Sequence, residues 1–122
     1  MNAHHDVEFE LCSAEEIPVG TMRAFDAAGR RVLVCNVDGA LHVVDELCPH
    51  LAVPLGHGTL AGSEVTCPGH GSVFDVRDGT CVRWIGRKPG LLAKVLSGAP
   101  TPPAKHLVTV IDGTVVVTLP AG

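Results

Sequence analysis

Four glycine-ended dipeptides, Ala28-Gly29, Asp38-Gly39, Asp78-Gly79 and Asp112-Gly113, cut this chain into short apolar runs. Asp-Gly pairs reach positive φ at low cost, and glycine-ended dipeptides of this kind close tight hairpins. The runs between and around them are VEFELC, TMRAFDA, RRVLVCNV, ALHVVDE, SEVT, SVFDV, HLVTVI and TVVVTL. They are rich in β-branched residues and too short to be stable helices. The pattern predicts an all-β domain of antiparallel strands, either a sandwich or a small, partly open barrel. Ser13-Ala14-Glu15-Glu16 has the spacing of a capping box, but Pro18 follows so closely that only one helical turn is expected there.

A chain of 122 residues fits a single domain, 1–122, with no room for an additional catalytic domain. Its net charge is -4, and its aromatic residues are Phe9, Phe25, Phe74 and Trp84. Nucleic acid is therefore a poor partner, because there is neither a basic field nor a set of stacking platforms. No apolar run has the length of a signal peptide or a membrane span, so a soluble cytoplasmic protein away from membranes is expected. Five cysteines, an odd number, exclude a fully paired disulfide framework within the chain. In a reducing compartment, cysteines close to histidines read more readily as metal ligands.

Two stretches break the strand rhythm, about 46–72 and about 82–105. The first holds Cys48-Pro49-His50 and, after sixteen intervening residues, Cys67-Pro68-Gly69-His70. In extended or turn conformations the two members of each pair can address one ion or cluster from a single loop. Pro49 and Pro68 stiffen the pairs, while Gly56, Gly58, Gly69 and Gly71 permit tight turns and close backbone approach. Three readings follow from the residues: buried thiols with satisfied histidines, a structural zinc site, or a mixed Cys2His2 iron–sulfur cluster. Zinc sites usually pair cysteine with cysteine and histidine with histidine, unlike this spacing.

The pattern C-x-H, sixteen residues, then C-P-x-H-G resembles the signature of the Rieske family, and the strand and turn pattern is similar along nearly the whole chain. The resemblance implies a Rieske-like antiparallel fold with a cluster-binding subdomain at about 46–83 and an extended loop at about 84–105. It also implies one 2Fe-2S cluster, with Cys48 and Cys67 on one iron and His50 and His70 on the other. Ser72, Gly69 and Gly71 would lie beside it. Two ferric ions, two sulfides and two thiolates sum to zero charge, so mixed ligation raises the potential above that of a four-thiolate cluster. High-potential members carry an additional disulfide between the two loops and a tyrosine donor; the matching positions here are Val53, Gly69 and Phe74, while the serine donor is kept as Ser72. A potential toward the low end of the Rieske range is expected, with proton-coupled behaviour at alkaline pH because each ligand histidine can lose its outer ring proton.

The implied function is that of a Rieske-type ferredoxin like those of bacterial ring-hydroxylating dioxygenase systems. Such a chain is a one-electron carrier and not an enzyme, transiently meeting a flavin-containing reductase and a terminal oxygenase. The alternative is a small Rieske subunit fixed within a larger oxidoreductase, such as a nitrite reductase complex. Among the remaining residues, His57 reads as a polar loop residue, His4 and His5 as part of the terminus, and His42 and His106 as strand residues. Cys12 and Cys35 read as buried thiols, and Cys81 is given no role. The run LAVPL after His50 is expected to cover the cluster, to form a docking surface, or both. Six of the nine basic residues, Arg77, Arg83, Arg87, Lys88, Lys94 and Lys105, fall between 77 and 105, whereas nine of thirteen acids precede residue 47. This lopsidedness makes the extended loop either a solvated insertion or a basic docking flap for an acidic partner.

Overall fold

The computed structural model describes residues 6–47, 53–69, 71–83 and 103–120. They form ten strands: β1 (Asp6–Ser13), β2 (Met22–Ala27), β3 (Arg30–Val37), β4 (Ala40–Asp45), β5 (Thr59–Ala61), β6 (Glu64–Thr66), β7 (Val73–Asp75), β8 (Thr80–Arg83), β9 (Lys105–Ile111) and β10 (Thr114–Pro120). Six strands make one antiparallel sheet in the order β1-β10-β9-β4-β3-β2, and four make a second in the order β5-β6-β7-β8. The all-β expectation is borne out. The capping box also forms: Ser13 N–H donates to Glu16 Oε2 at 3.0 Å, and Glu15 N–H donates to Ser13 Oγ at 3.4 Å, heading one turn of 3-10 helix at Ala14–Glu16.

Three of the four expected turns have positive φ at both central residues: 54° and 90° at Ala28-Gly29, 53° and 94° at Asp38-Gly39, and 50° and 79° at Asp112-Gly113. That combination belongs to type I′ hairpins, whose twist matches the flanking strands. Side chains reinforce two of them, since Gly29 N–H donates to Asp26 Oδ1 at 2.7 Å and Gly39 N–H donates to Asn36 Oδ1 at 2.9 Å. Asp78-Gly79 differs. Only Gly79 is left-handed there, and its N–H closes the longer turn onto Asp75 O at 2.8 Å.

Strand alternation separates two apolar clusters, with β3 as the wall between them. Val32 and Val34 face Val43, Val115, Val117, Leu119 and Ile17. These residues come largely from one sheet, so the six-stranded sheet curls around its own core. Its edges, β1 and β2, face each other across a cleft of about 500 Å³ lined partly by Val7, Phe9, Ala27 and Leu119. Leu33, Cys35 and Val37 point the other way, onto Leu55, Val65, Cys67, Phe74 and Val76 of the small-sheet side. The small sheet is thus docked on the half of the large sheet that contains β3. On the outer face of β9, Leu107 is 73% exposed and Ile111 50%.

Several expectations need correction. β5 and β8 were not among the predicted runs: each has one side chain, Leu60 or Cys81, packed on the core, too little for alternation to register. Cys12 is half-buried instead of buried, because a bulge between Glu10 and Cys12 interrupts the edge strand β1. The extended loop ends before Lys105, which opens β9 and pairs with Val44. Residues 84–102 of that loop, with Trp84, Arg87, Lys88 and Lys94, lie outside the described residues.

Candidate metal centre

Cys67 leaves β6 and starts a closed turn. Its N–H donates to Ser72 O at 2.7 Å, and Gly71 N–H donates back to Cys67 O at 3.0 Å, with Gly71 at φ 76°. The Cys67 side chain is a free thiol, 1% exposed, in the cluster formed with Leu55, Val65 and Phe74. Ser72 is fully buried beside it. Cys48, His50, His70, His4 and His5 lie outside the described residues. Among the described residues no group of three His, Cys, Asp or Glu side chains gathers around a common point.

The other expected ligand loop is visible through its stem. β4 ends at Asp45, Leu47 bridges to Pro54, and Leu55 N–H donates to Glu46 O at 2.8 Å, so the chain leaves and returns at one place. The returning end touches the Cys67 turn: a Cβ on Gly69 would lie 3.8 Å from Val53 Cβ, 3.2 Å from Val53 Cγ2 and 3.7 Å from Cys67 Sγ. A Cβ on Gly58 would lie 1.8 Å from Thr66 O and 3.1 Å from Pro68 Cδ, so the segments meet there only because residue 58 has no side chain. A buried thiol on one turn with a second loop returning against it suits a compact inorganic group with soft ligands. Of the LAVPL run, Leu55 is fully buried in the core, which removes it from any docking surface, whereas Val53 and Pro54 are half-buried.

Sequence reasoning missed the polar groups that tie the stem and small sheet to the large one. Glu46 is 1% exposed, and Arg31 Nη2 faces its Oε1 as an ion pair. Lys105 Nζ donates to Val76 O at 2.9 Å and lies 3.0 Å from His42 Nδ1, fastening β9 and β4 to the segment after β7. Burial, followed by the charges of Lys105 and Arg77, lowers the His42 pKa from its ordinary value, so the neutral ring is favoured as acceptor. Hydrogen bonds from Arg77 hold Asp75 below the usual carboxylate range. His106 Nε2 contacts Asp45 Oδ1 at 2.8 Å, and His57 is exposed on the 3-10 turn Leu55–His57. Burial pushes the Cys35 thiol up to about 12, as expected for an unreactive core thiol, and also raises that of the half-buried Cys81. The only sequence signal for the Glu46 and Lys105 contacts is a charge at the end or start of an apolar strand, a position usually solvated.

Comparison with known proteins agrees with this arrangement. Residues 7–100 match the family model described as Rieske [2Fe-2S] domain. The ferredoxin component of the naphthalene 1,2-dioxygenase system of Pseudomonas aeruginosa is 36% identical over 64 residues, covering 52% of this chain and 62% of that protein. The chain thus spans less than two thirds of this curated relative. The solved ferredoxin of Sphingomonas yanoikuyae B1 superposes with a TM-score of 0.72 at 28% identity, covering 91% of this chain and 97% of that one. A chain from a complex of reduced oxygenase and oxidised ferredoxin in carbazole 1,9a-dioxygenase gives a TM-score of 0.70 at 26% identity, covering 90% and 91% of the two chains. No helix among the described residues is long and apolar enough to cross a membrane. Signature, two-sheet fold and paired loops converge, and the chain belongs to the Rieske [2Fe-2S] domain family.

Proposed function

We propose that this chain is a one-electron carrier of an aromatic-ring-hydroxylating oxygenase system, receiving electrons from a flavin-containing reductase and delivering them to a terminal oxygenase. Cys48 and Cys67 would hold one iron of the cluster, and His50 and His70 the other. The observation that carries the reading is the buried Cys67 turn lying against the returning end of the 48–53 loop, on a fold shared with a solved ferredoxin. Relatives named as ferredoxin components support the carrier role. The bound group supplies reversible one-electron storage. The chain keeps water from Cys67 by burying it, fixes the turn through Ser72 and Gly71, and closes the opposite loop through Leu47 and Pro54. With Val53 and Gly69 in place of a disulfide and Phe74 in place of a tyrosine donor, the midpoint potential belongs in the lower part of the roughly −150 to +300 mV Rieske range.

The test is reconstitution. The purified red-brown protein should contain two irons and two sulfides per chain, give a rhombic paramagnetic signal on reduction, and shuttle electrons between separate reductase and oxygenase preparations. Serine at Cys48 or Cys67 should abolish the signal. A colourless zinc protein would sink the cluster assignment, and a stable stoichiometric partner with no exchange would favour the fixed-subunit alternative.

A further inference from the structure

The two arginines leaving the β2–β3 turn each meet one of the two acids just before the 48–52 loop. Arg30 reaches Asp45 at 3.3 Å in a largely exposed contact, which screening makes weak. Arg31 and Glu46 differ. The Glu46 side chain is 1% exposed, whereas Arg31 is 47% exposed. Oε1 of Glu46 has no hydrogen-bond partner among the described residues and is compensated by the Arg31 guanidinium as an ion pair. Oε2 occupies the space beside Gly56, where a Cβ would come within 2.9 Å of it. The Glu46 backbone is held at both ends, its N–H by Arg31 O at 3.1 Å and its carbonyl by Leu55 N–H at 2.8 Å. The same residue therefore joins β3, the outgoing stem and the returning stem.

Stability alone does not explain this choice. A buried ion pair is often no better than apolar groups of the same volume, while removing one partner leaves a buried charge uncompensated. A glutamine or methionine would fill the space under Gly56 equally well. Cys48 lies two residues beyond Glu46, so their Cα atoms are at most about 7 Å apart, and any charge imbalance at Glu46 acts on the metal site at short range.

We propose that Arg31 and Glu46 are a positioning pair for the metal site, fixing the stem from which Cys48 departs as a charge-neutral unit. Breaking it from either side then moves the midpoint potential in opposite directions. The inference rests on the reading of Cys48 as a ligand. Electrostatics gives the signs: losing the carboxylate leaves a cation that favours the reduced state, and losing the guanidinium leaves an anion that opposes it.

The experiment uses the cluster-loaded protein and its Glu46→Gln, Arg31→Gln and Arg31→Lys variants, followed by redox titration, paramagnetic spectra and the rate of cluster loss to a chelator. Glu46→Gln should raise the potential, Arg31→Gln should lower it, and both should lose the cluster about tenfold faster, while Arg31→Lys stays near wild type. Unmoved potentials, or shifts of the same sign in both glutamine variants, overturn the proposal even if unfolding midpoints fall. If Glu46→Gln holds no cluster, the half-exposed Arg31 decides: a lowered potential in Arg31→Gln supports the pairing and an unchanged one overturns it. A wild-type protein without the rhombic signal, or a Cys48→Ser variant that keeps it, defeats the ligand assignment instead and is read separately.

Discussion

Gly58 and Gly69 show how closely single positions govern the approach of the two loops. A methyl group at residue 58 would overlap Thr66 O at 1.8 Å, and the obstacle is backbone that cannot rotate away. Gly58→Ala is therefore expected to destabilise the protein by about 3 kcal/mol, at the upper end for overpacking. At residue 69 the nearest atom is Val53 Cγ2 at 3.2 Å, the end of a side chain, so Gly69→Ala should cost less than about 1 kcal/mol. Urea unfolding of the two variants checks the contrast, and equal stabilities would contradict it. The separation of 3.8 Å between Val53 Cβ and a Cβ at 69 is also close to the mean for disulfides. The double variant Val53→Cys, Gly69→Cys should oxidise to a bridge, seen as the loss of two titratable thiols, whereas neither single variant should. If both new thiols still titrate under oxidant, the loops are not held as described.

At the scale of elements, Lys105 fastens the start of β9 to the end of β7. Replacing it with methionine keeps the stem that packs over Gly79 but removes the donor to Val76 O, a loss of about 1–2 kcal/mol at pH 8. The pH dependence follows from His42, which faces Lys105, Arg77 and Asp75. Its folded pKa lies below the unfolded value near 6.5, so on acidification the unfolded chain binds a proton before the folded one does. Stability is thus full above 6.5 and declines as pH falls below it, until folded His42 also titrates. Lys105→Met removes one of the causes and should flatten that decline, as thermal unfolding from pH 8 to 5.5 would reveal. Asp75 acts in a separate, lower window: its depressed pKa gives stability above about 3.8 that is lost below it. The contrast between legible and illegible elements has the same physical basis. Long strands such as β3 and β10 declare themselves through β-branched runs, and the Asp-Gly hairpins through their backbone requirement. β5 and β8, three and four residues long, exist because neighbouring strands pair with them, and that information is nonlocal. The turn that carries Cys67 is legible through Pro68, Gly69 and Gly71, whereas the Glu46 and Lys105 contacts depend on partners fifteen or more residues away.

For the whole molecule, β3 is the wall on which both halves depend, and its alternation makes the two faces separable. Leu33 belongs to the cluster that holds the small sheet against the large one, together with Leu55, Phe74 and Cys67 itself. Val34, one residue on, belongs to the cluster inside the curl of the large sheet, with Val43, Val115 and Val117. Both are fully buried, so truncation leaves a cavity in either case. Leu33→Ala should cost about 3 kcal/mol and Val34→Ala about 2 kcal/mol, scaled by the volume removed. The cavities differ in what they loosen. The one at 33 lies where the Cys67 turn is docked, so it should broaden the paramagnetic signal of the loaded protein and speed release of iron to a chelator. The one at 34 lies on the far side of the wall and should lower the unfolding midpoint while leaving the spectrum and the release rate at wild-type values. Measuring unfolding, spectrum and release on both variants tests the division directly. If Val34→Ala disturbed the spectrum as much as Leu33→Ala, the two cores would be one mechanical unit, and β3 would transmit strain between its faces instead of separating them.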